Sequence, residues 1–188
     1  MTVELVVLCN EAGQAIGTAP KQDVHTTHTP LHKAFSCYIF DPDGHVLLTR
    51  RALSKLTWPG VWTNSVCGHP GVGESDRDAI DRRAAQELGI TGIPKSALTP
   101  ILPDFSYLAE DSSGVQENEV CPVYAAFLPH RLELDLIPAE VMDAAWHPFS
   151  ELQQATACTP FAFSPWMVKQ LSKWPKNFSV PSLPGGSA

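Results

Sequence analysis

The sequence lacks three features that would have pointed to a membrane or a nucleic acid. It has no run near the roughly 18 apolar residues of a membrane span. Its first ten residues, MTVELVVLCN, carry Glu4 where a secretion signal needs a base. Basic residues are few: 13 Lys and Arg face 20 Asp and Glu, for a net charge of −7. We therefore expect no membrane partner and no nucleic-acid partner, whereas a small anion held through divalent metals stays possible.

Paired cysteines and the common nucleotide-binding loops are also missing. The five cysteines are odd in number and contain no C-x-x-C pair, which favours a reduced, cytoplasmic location. Neither G-x-G-x-x-G nor G-x-x-x-x-G-K-[ST] occurs, so the dinucleotide and P-loop interpretations have no support.

The residues that are present predict one α/β domain of the mixed α+β kind. Apolar runs bounded by turn residues predict strands at 32–40, 98–110 and 115–128, among others. A helix is predicted at 75–89, with an apolar stripe, a serine cap and a terminal glycine. We place the domain at 1–174, and the Pro, Ser and Gly content of 175–188 predicts a flexible tail.

Reactive side chains concentrate in 58–89, which holds Cys67, His69 and Glu87. Further on, Glu117 and Glu119 lie two apart in a predicted strand, so both face one side, and burying them together is costly unless a cation lies between. Two groups allow a plainer interpretation. Arg50, Arg51 and Lys55 form either a solvated strand end or an anion clamp, and Arg83 with Glu87 could be a simple i,i+4 ion pair.

The spacing Gly68-x5-Glu74-x7-Arg82 resembles the loop–helix signature of the Nudix superfamily. This resemblance implies a Nudix-like α/β/α sandwich. The sequence departs from the hydrolase pattern, because Arg83 and Gln86 replace two of the three helix carboxylates and only Glu87 is kept. The fold is therefore expected without the hydrolysis.

Within that superfamily the chain resembles the type 1 isopentenyl-diphosphate isomerases from about residue 3 to 173. The stretches that carry the resemblance are RRALSK at 50–55, WPGVWTNSVCGHP at 58–70, YLAEDSSGVQENEVCPV at 107–123 and FSPWM at 163–167. It implies an isomerase of isoprene biosynthesis that interconverts isopentenyl diphosphate and dimethylallyl diphosphate through a tertiary carbocation. We expect a monomer that acts on this small diphosphate.

The resemblance also implies roles for individual residues. Cys67 and Glu119 are the acid and base, in an order that the sequence leaves open, with Tyr107 assisting Glu119 and Trp166 facing the cation. Nearby metal or positive charge is expected to lower the pKa of Cys67. Mn²⁺ or Zn²⁺ is expected at a site whose ligands are His25, His32, His69, Glu117 and Glu119. Mg²⁺ is expected at Glu87 with the substrate diphosphate, which is bound by Lys21, Arg51, Lys55 and Arg83.

Two other functions compete with this interpretation. A Nudix-type diphosphohydrolase is the first, and the altered helix speaks against it. A non-catalytic metal-binding module is the second, and it would leave Cys67, Tyr107 and Trp166 without a purpose.

Overall fold

The computed structural model describes residues 4–181, which form two β-sheets and four α-helices. The strands are β1 Leu5–Cys9, β2 Ala15–Pro20, β3 His32–Lys33, β4 Phe35–Phe40, β5 His45–Arg51, β6 Trp62–Thr63, β7 Val66–Gly68, β8 Leu98–Leu102, β9 Ser106–Glu110, β10 Gln116–Val120, β11 Val123–Phe127 and β12 Val141–Pro148. One sheet has five strands in the order β2-β1-β3-β10-β9, and the other has the order β12-β5-β4-β11-β8 with β6 and β7 paired to its strands β5 and β4.

Helices cover both faces of the seven-stranded sheet, as the predicted α/β/α sandwich requires. The helices are α1 Lys21–Val24, α2 Asp76–Leu88, α3 Phe149–Cys158 and α4 Pro165–Ser172. Strand β4 shows the layering, because alternate side chains point to opposite faces. Cys37 and Ile39 pack in the core that contains Ile80 of α2. Tyr38 packs in the core that contains Met167 of α4.

Helix α2 begins and ends as the sequence predicts. The Ser75 hydroxyl accepts a hydrogen bond from the Asp78 backbone N–H at 3.2 Å, which caps the first turn. Gly89 ends the helix in the left-handed region, with φ of 68°. A Cβ at that position would lie 2.7 Å from the Asp135 Cβ, so both the backbone conformation and the close approach require glycine.

Three strand predictions are wrong in the same way, because each predicted continuous strand is divided between the two sheets. The predicted strand 32–40 breaks at Ala34, so that β3 joins the five-stranded sheet and β4 the other. The predicted strand 98–110 breaks before β9, at Pro103, and 115–128 breaks at Pro122. Proline has no backbone N–H to donate to a ladder, which explains the last two breaks. These breaks bring side chains of the two sheets to one cavity.

Part of the predicted tail packs on the core. The ring centres of Phe40, Phe149 and Trp174 lie 5.3 to 5.6 Å from that of Phe178. Residues 175–181 thus bring an aromatic side chain to the core, and 182–188 of the predicted tail lie outside the described residues. Among residues 4–181, no helix combines the length and the apolar character needed to cross a membrane.

Candidate active site

A cavity of about 800 Å³ is lined by side chains from both sheets and from α2 and α4. Every residue that the sequence analysis assigned to the site lines it except His32, which is completely buried. The lining residues from that prediction are Lys21, His25, Arg51, Lys55, Cys67, His69, Arg83, Glu87, Tyr107, Glu117, Glu119 and Trp166. Of the basic cluster, Arg51 and Lys55 face the cavity, which favours the anion clamp, whereas Arg50 bonds the Gly60 carbonyl.

One group, which we call the histidine end, consists of His25, His32, His69 and Glu119. Each offers one ligand atom, and these four atoms lie within 4.8 Å of one another. The register of the sheet builds the group, because Glu119 of β10 pairs with His32 of β3 in parallel. The Nε2 atom of His69 lies 3.0 Å from Glu119 Oε1 and 3.2 Å from the Nε2 atom of His32.

The histidine end fits a divalent metal. The Nδ1–H of His32 donates to the Pro30 carbonyl at 2.9 Å, which leaves the Nε2 atom directed at the group. The Nε2 atom of His25 is buried and has no hydrogen-bond partner within residues 4–181. Three imidazole nitrogens and one carboxylate form a donor set suited to Zn²⁺ or Mn²⁺.

Burial and mutual contact set the protonation of the histidine end. Burial lowers the pKa of His25 to about 3, with His69 and His32 adding to the effect. Burial also lowers the pKa of His69. For Glu119, burial alone would raise the pKa, but the hydrogen bonds with His32 and His69 lower it. The pKa of His32 is raised because Glu119 outweighs burial. An ionised carboxylate beside two rings that burial keeps neutral attracts a cation.

Glu117 lies beside this group but is not one of its four members. Its Oε1 accepts from the Thr57 hydroxyl at 2.6 Å, and its Oε2 accepts from the Tyr107 hydroxyl at 2.7 Å. The same tyrosine hydroxyl lies 2.8 Å from Glu119 Oε2. A phenol has one proton, so Tyr107 serves one carboxylate at a time. Burial and then Glu119 raise the pKa of Glu117. Its role as a further metal ligand stays a prediction.

Cys67 faces the cavity from the seven-stranded sheet, where it pairs with Ser36 of β4. Among the protein groups alone, burial and then Glu87 raise the pKa of the Cys67 thiol to about 12, although Arg51 opposes them. Without a metal, desolvation and nearby carboxylates thus outweigh the basic groups, whereas the expected lowering of the pKa included the effect of a metal.

Trp166 is held by an asparagine that the sequence analysis missed. Its indole N–H donates to Asn64 Oδ1 at 3.0 Å, and the Asn64 amide donates to the Val66 carbonyl at 2.8 Å. Both side chains are buried, and the guanidinium carbon of Arg51 lies 5.2 Å from the centre of the indole ring. Asn64 thus ties the helix that carries Trp166 to the strand that carries Cys67. The sequence offers little signal for this role, because Asn64 lies in a run of three polar residues at 63–65 whose burial only the structure shows.

Of the signature residues, Glu74 and Arg82 support the loop without lining the cavity, whereas Gly68 lines it. Arg82 donates to Glu74 Oε1 at 2.7 Å and to the backbone carbonyl of His69 at 3.1 Å. A Cβ on Gly68 would lie 3.1 Å from the Cγ of Arg83, so the glycine permits close packing of α2. The motif therefore positions His69.

A second group, which we call the basic end, consists of Lys55, Arg83, Glu87 and Glu140, all of which line the cavity. Arg83 bonds both Glu87 and Glu140, the latter at 2.8 Å, and Lys55 bonds Glu140. Glu140 is the second residue that sequence analysis missed, since it belongs to no recognised motif. The i,i+4 pair between Arg83 and Glu87 exists, but in the cavity wall rather than in solvent.

Lys21 and Arg51, the other two cations of the predicted diphosphate site, also line the cavity. Lys21 pairs with Glu4 at 2.9 Å. The Arg51 guanidinium donates to the Thr57 carbonyl at 2.8 Å, which fixes it over Trp166. Burial raises the pKa of Glu87, and Arg83 opposes that shift. The basic end therefore contains two carboxylates as well as its cations.

Comparison with known proteins gives one consistent result. The NUDIX domain family matches residues 30–181. A protein of Corynebacterium efficiens named isopentenyl-diphosphate Delta-isomerase is 54% identical over 169 residues, which cover 90% of this chain and 89% of that protein. The protein of the same name from Salmonella typhi is 52% identical over 172 residues and 92% of both chains.

A solved structure agrees on the fold. The DR0079 protein of Deinococcus radiodurans superposes with a TM-score of 0.68 over 91% of this chain and 99% of that one. Its sequence is 20% identical, so the likeness concerns the fold alone.

Proposed function

The chain belongs to the NUDIX family and, within it, to the isopentenyl-diphosphate Delta-isomerases, and we propose that its cavity interconverts isopentenyl diphosphate and dimethylallyl diphosphate. The reaction adds a proton to one carbon of the substrate and removes a proton from another. The intermediate is a tertiary carbocation. The cavity therefore needs an acid and a base on different walls.

The proposal rests mainly on one observation: the two reactive groups enter the cavity from different sheets. Cys67 enters the cavity from the seven-stranded sheet, whereas Tyr107 and Glu119 enter it from the five-stranded sheet. A substrate between the two sheets can thus exchange protons on two sides. Cys67 provides one group, and Glu119 with Tyr107 provides the other.

Trp166 is suited to stabilise the intermediate. An indole face in a dry site stabilises a cation by about 2 kcal/mol or more. The Trp166 ring is packed against Tyr107 and Trp58, with ring centres at 6.1 and 5.6 Å. Such an apolar wall suits the reaction, because water that reached the cation would trap it as an alcohol.

We propose two metal sites. His25, His32, His69 and Glu119 would hold Mn²⁺ or Zn²⁺, with Glu117 as a further ligand after it exchanges its present hydrogen bonds. That ion would supply positive charge beside Glu119. Glu87 would hold Mg²⁺, which would supply countercharge to the diphosphate, together with Lys21, Arg51, Lys55 and Arg83.

The arrangement of α2 disfavours a diphosphohydrolase. Arg83 replaces a metal-binding carboxylate and pairs with Glu87, the one carboxylate that α2 keeps at the hydrolase positions. Such a helix can bind phosphate, but it lacks the carboxylates needed to activate water.

The test is an NMR experiment with isopentenyl diphosphate, Mg²⁺ and Mn²⁺ in D₂O. We expect dimethylallyl diphosphate and deuterium uptake. Release of phosphate without isomerisation would favour the hydrolase, and unchanged substrate would favour a binding module. Cys67→Ala should abolish turnover, whereas Cys158→Ala, at an exposed cysteine, should not. Near-normal turnover by Cys67→Ala would refute its assignment.

We also propose that the protein works in the cytoplasm as a monomer. All five cysteines are unpaired, which suits a reducing compartment. Size-exclusion chromatography with light scattering should give the mass of one 20.5 kDa chain.

A further inference from the structure

The cations proposed to bind diphosphate already have an anionic partner. Glu140 Oε2 accepts hydrogen bonds from both Lys55 and Arg83, and all three side chains line the cavity. The side chain of Arg83 is only 8% exposed and that of Glu140 28%. A diphosphate that binds both cations would therefore compete with the Glu140 carboxylate for them.

The backbone at Glu140 is anchored on both sides. Its N–H donates to the Ile137 carbonyl at 2.8 Å, and its own carbonyl accepts from Ala52 at 3.1 Å. Ile137 in turn donates to the carbonyl of Glu87 in α2 at 3.0 Å. Only the side chain is thus available to move, and its partial exposure gives the released carboxylate access to solvent.

We propose that Glu140 is an internal counter-anion that holds Lys55 and Arg83 and is displaced by the diphosphate of the substrate. This rests on the proposed function, since it takes the ligand to be a diphosphate. A singly charged carboxylate is exchanged for a more highly charged group that reaches both cations. Breaking the two charge-assisted bonds weakens binding of every anion, so weakly charged anions do not hold the site.

Arg83 remains paired after the exchange, because Glu87 still bonds it. Removal of Glu140 therefore leaves no isolated buried charge. Lys55, the other partner, is 24% exposed and can be solvated. For this reason Glu140→Gln should fold normally, which circular dichroism and the thermal midpoint would check.

The test measures binding of inorganic pyrophosphate by calorimetry, first with EDTA and then with Mg²⁺. In EDTA we expect Glu140→Gln to bind pyrophosphate about tenfold tighter than the unaltered protein. Glu140→Ala should shift in the same direction. The matched control is Glu133→Gln, which removes the same charge from an exposed position outside the cavity and should change nothing.

Equal or weaker binding by Glu140→Gln in EDTA would overturn the proposal. Weaker pyrophosphate binding by Glu140→Gln only in the presence of Mg²⁺ would also overturn the proposal, because this result would show that Glu140 helps Glu87 to hold Mg²⁺. Isomerisation by the unaltered protein is measured separately. If that activity is normal, a negative binding result counts against the role of Glu140 alone. If no variant binds pyrophosphate and isomerisation is absent, both proposals fail.

Discussion

The two ends of the cavity bury ionisable groups in opposite ways. At the histidine end, the ionised Glu119 lies beside His25 and His69, whose pKa values are lowered by burial. This end therefore offers ligand atoms that a metal ion could bind. At the basic end, the cations and carboxylates neutralise one another. The first end is therefore ready to take a cation. In the proposed exchange, the second gives up its bonds to Glu140 when it takes an anion.

The largest expected effect is at the histidine end. Glu119→Gln keeps the shape of the side chain but removes its charge and its ability to take a proton. We expect kcat to fall by about 10³-fold, with KM changed little, since general acid–base groups contribute 10²- to 10⁴-fold. Steady-state kinetics with isopentenyl diphosphate measures both. A rise in KM with kcat intact would instead place Glu119 in substrate binding.

A metal should stabilise the histidine end, and with it the fold. At a concentration 100 times its dissociation constant, Mn²⁺ or Zn²⁺ should add about 2.7 kcal/mol to the free energy of unfolding. Thermal unfolding with and without the metal measures the gain. His69→Ala should remove the gain, whereas His147→Ala, at a half-exposed residue paired with Glu151, should keep it. An equal gain in both variants would contradict the site.

The position of Trp166 in the cavity wall depends on its hydrogen bond to Asn64. Asn64→Leu leaves the buried indole N–H of Trp166 and the carbonyl of Val66 without their partner. We expect a loss of about 1–3 kcal/mol in the free energy of unfolding, measured by urea titration, and a changed near-ultraviolet dichroism. The control, Asn177→Leu, alters an exposed residue and should leave both unchanged. Unchanged stability of Asn64→Leu would show that these bonds contribute little.

The smallest effect is expected at the basic end. Lys55→Gln removes one cation from the diphosphate site but also frees Glu140 from that cation, so the two consequences partly offset. We expect KM to rise about tenfold, equal to about 1.4 kcal/mol, with kcat maintained. Lys95→Gln breaks an exposed pair with Asp78 and should be silent. A fall in kcat at constant KM would contradict the view that the basic end binds the substrate and the histidine end takes part in proton transfer.

The sequence predicts individual elements of this fold better than the sheets they form. Helix α2 follows the prediction to its caps, because Ser75 and Gly89 act through local backbone geometry. The strands were predicted without their division between two sheets. Pro103 and Pro122 were visible signals, but the break at Ala34 depends on pairings with β1 and β10, which are distant in the sequence.

The site shows the same limit. The site residues could be named from the sequence because their motifs are distinctive, and all of them except His32 line one cavity. Glu140 and Asn64 belong to no predicted chemistry, and only their contacts reveal them. Burial raises the pKa of Cys67 among the protein groups alone, which the sequence could not predict because it shows neighbouring charges but not the extent of burial.

Strand β3 is a short connection within the five-stranded sheet. It has two residues, and it joins β1 to β10 through one antiparallel pair, Leu8 with His32, and two parallel pairs. So short a ladder can open without global unfolding, and this would separate His32 from Glu119. Amide hydrogen exchange should therefore be faster in the β1–β2 hairpin than in β4. A metal bound by both His32 and Glu119 would therefore be released at the rate of this local opening, without unfolding of the seven-stranded sheet.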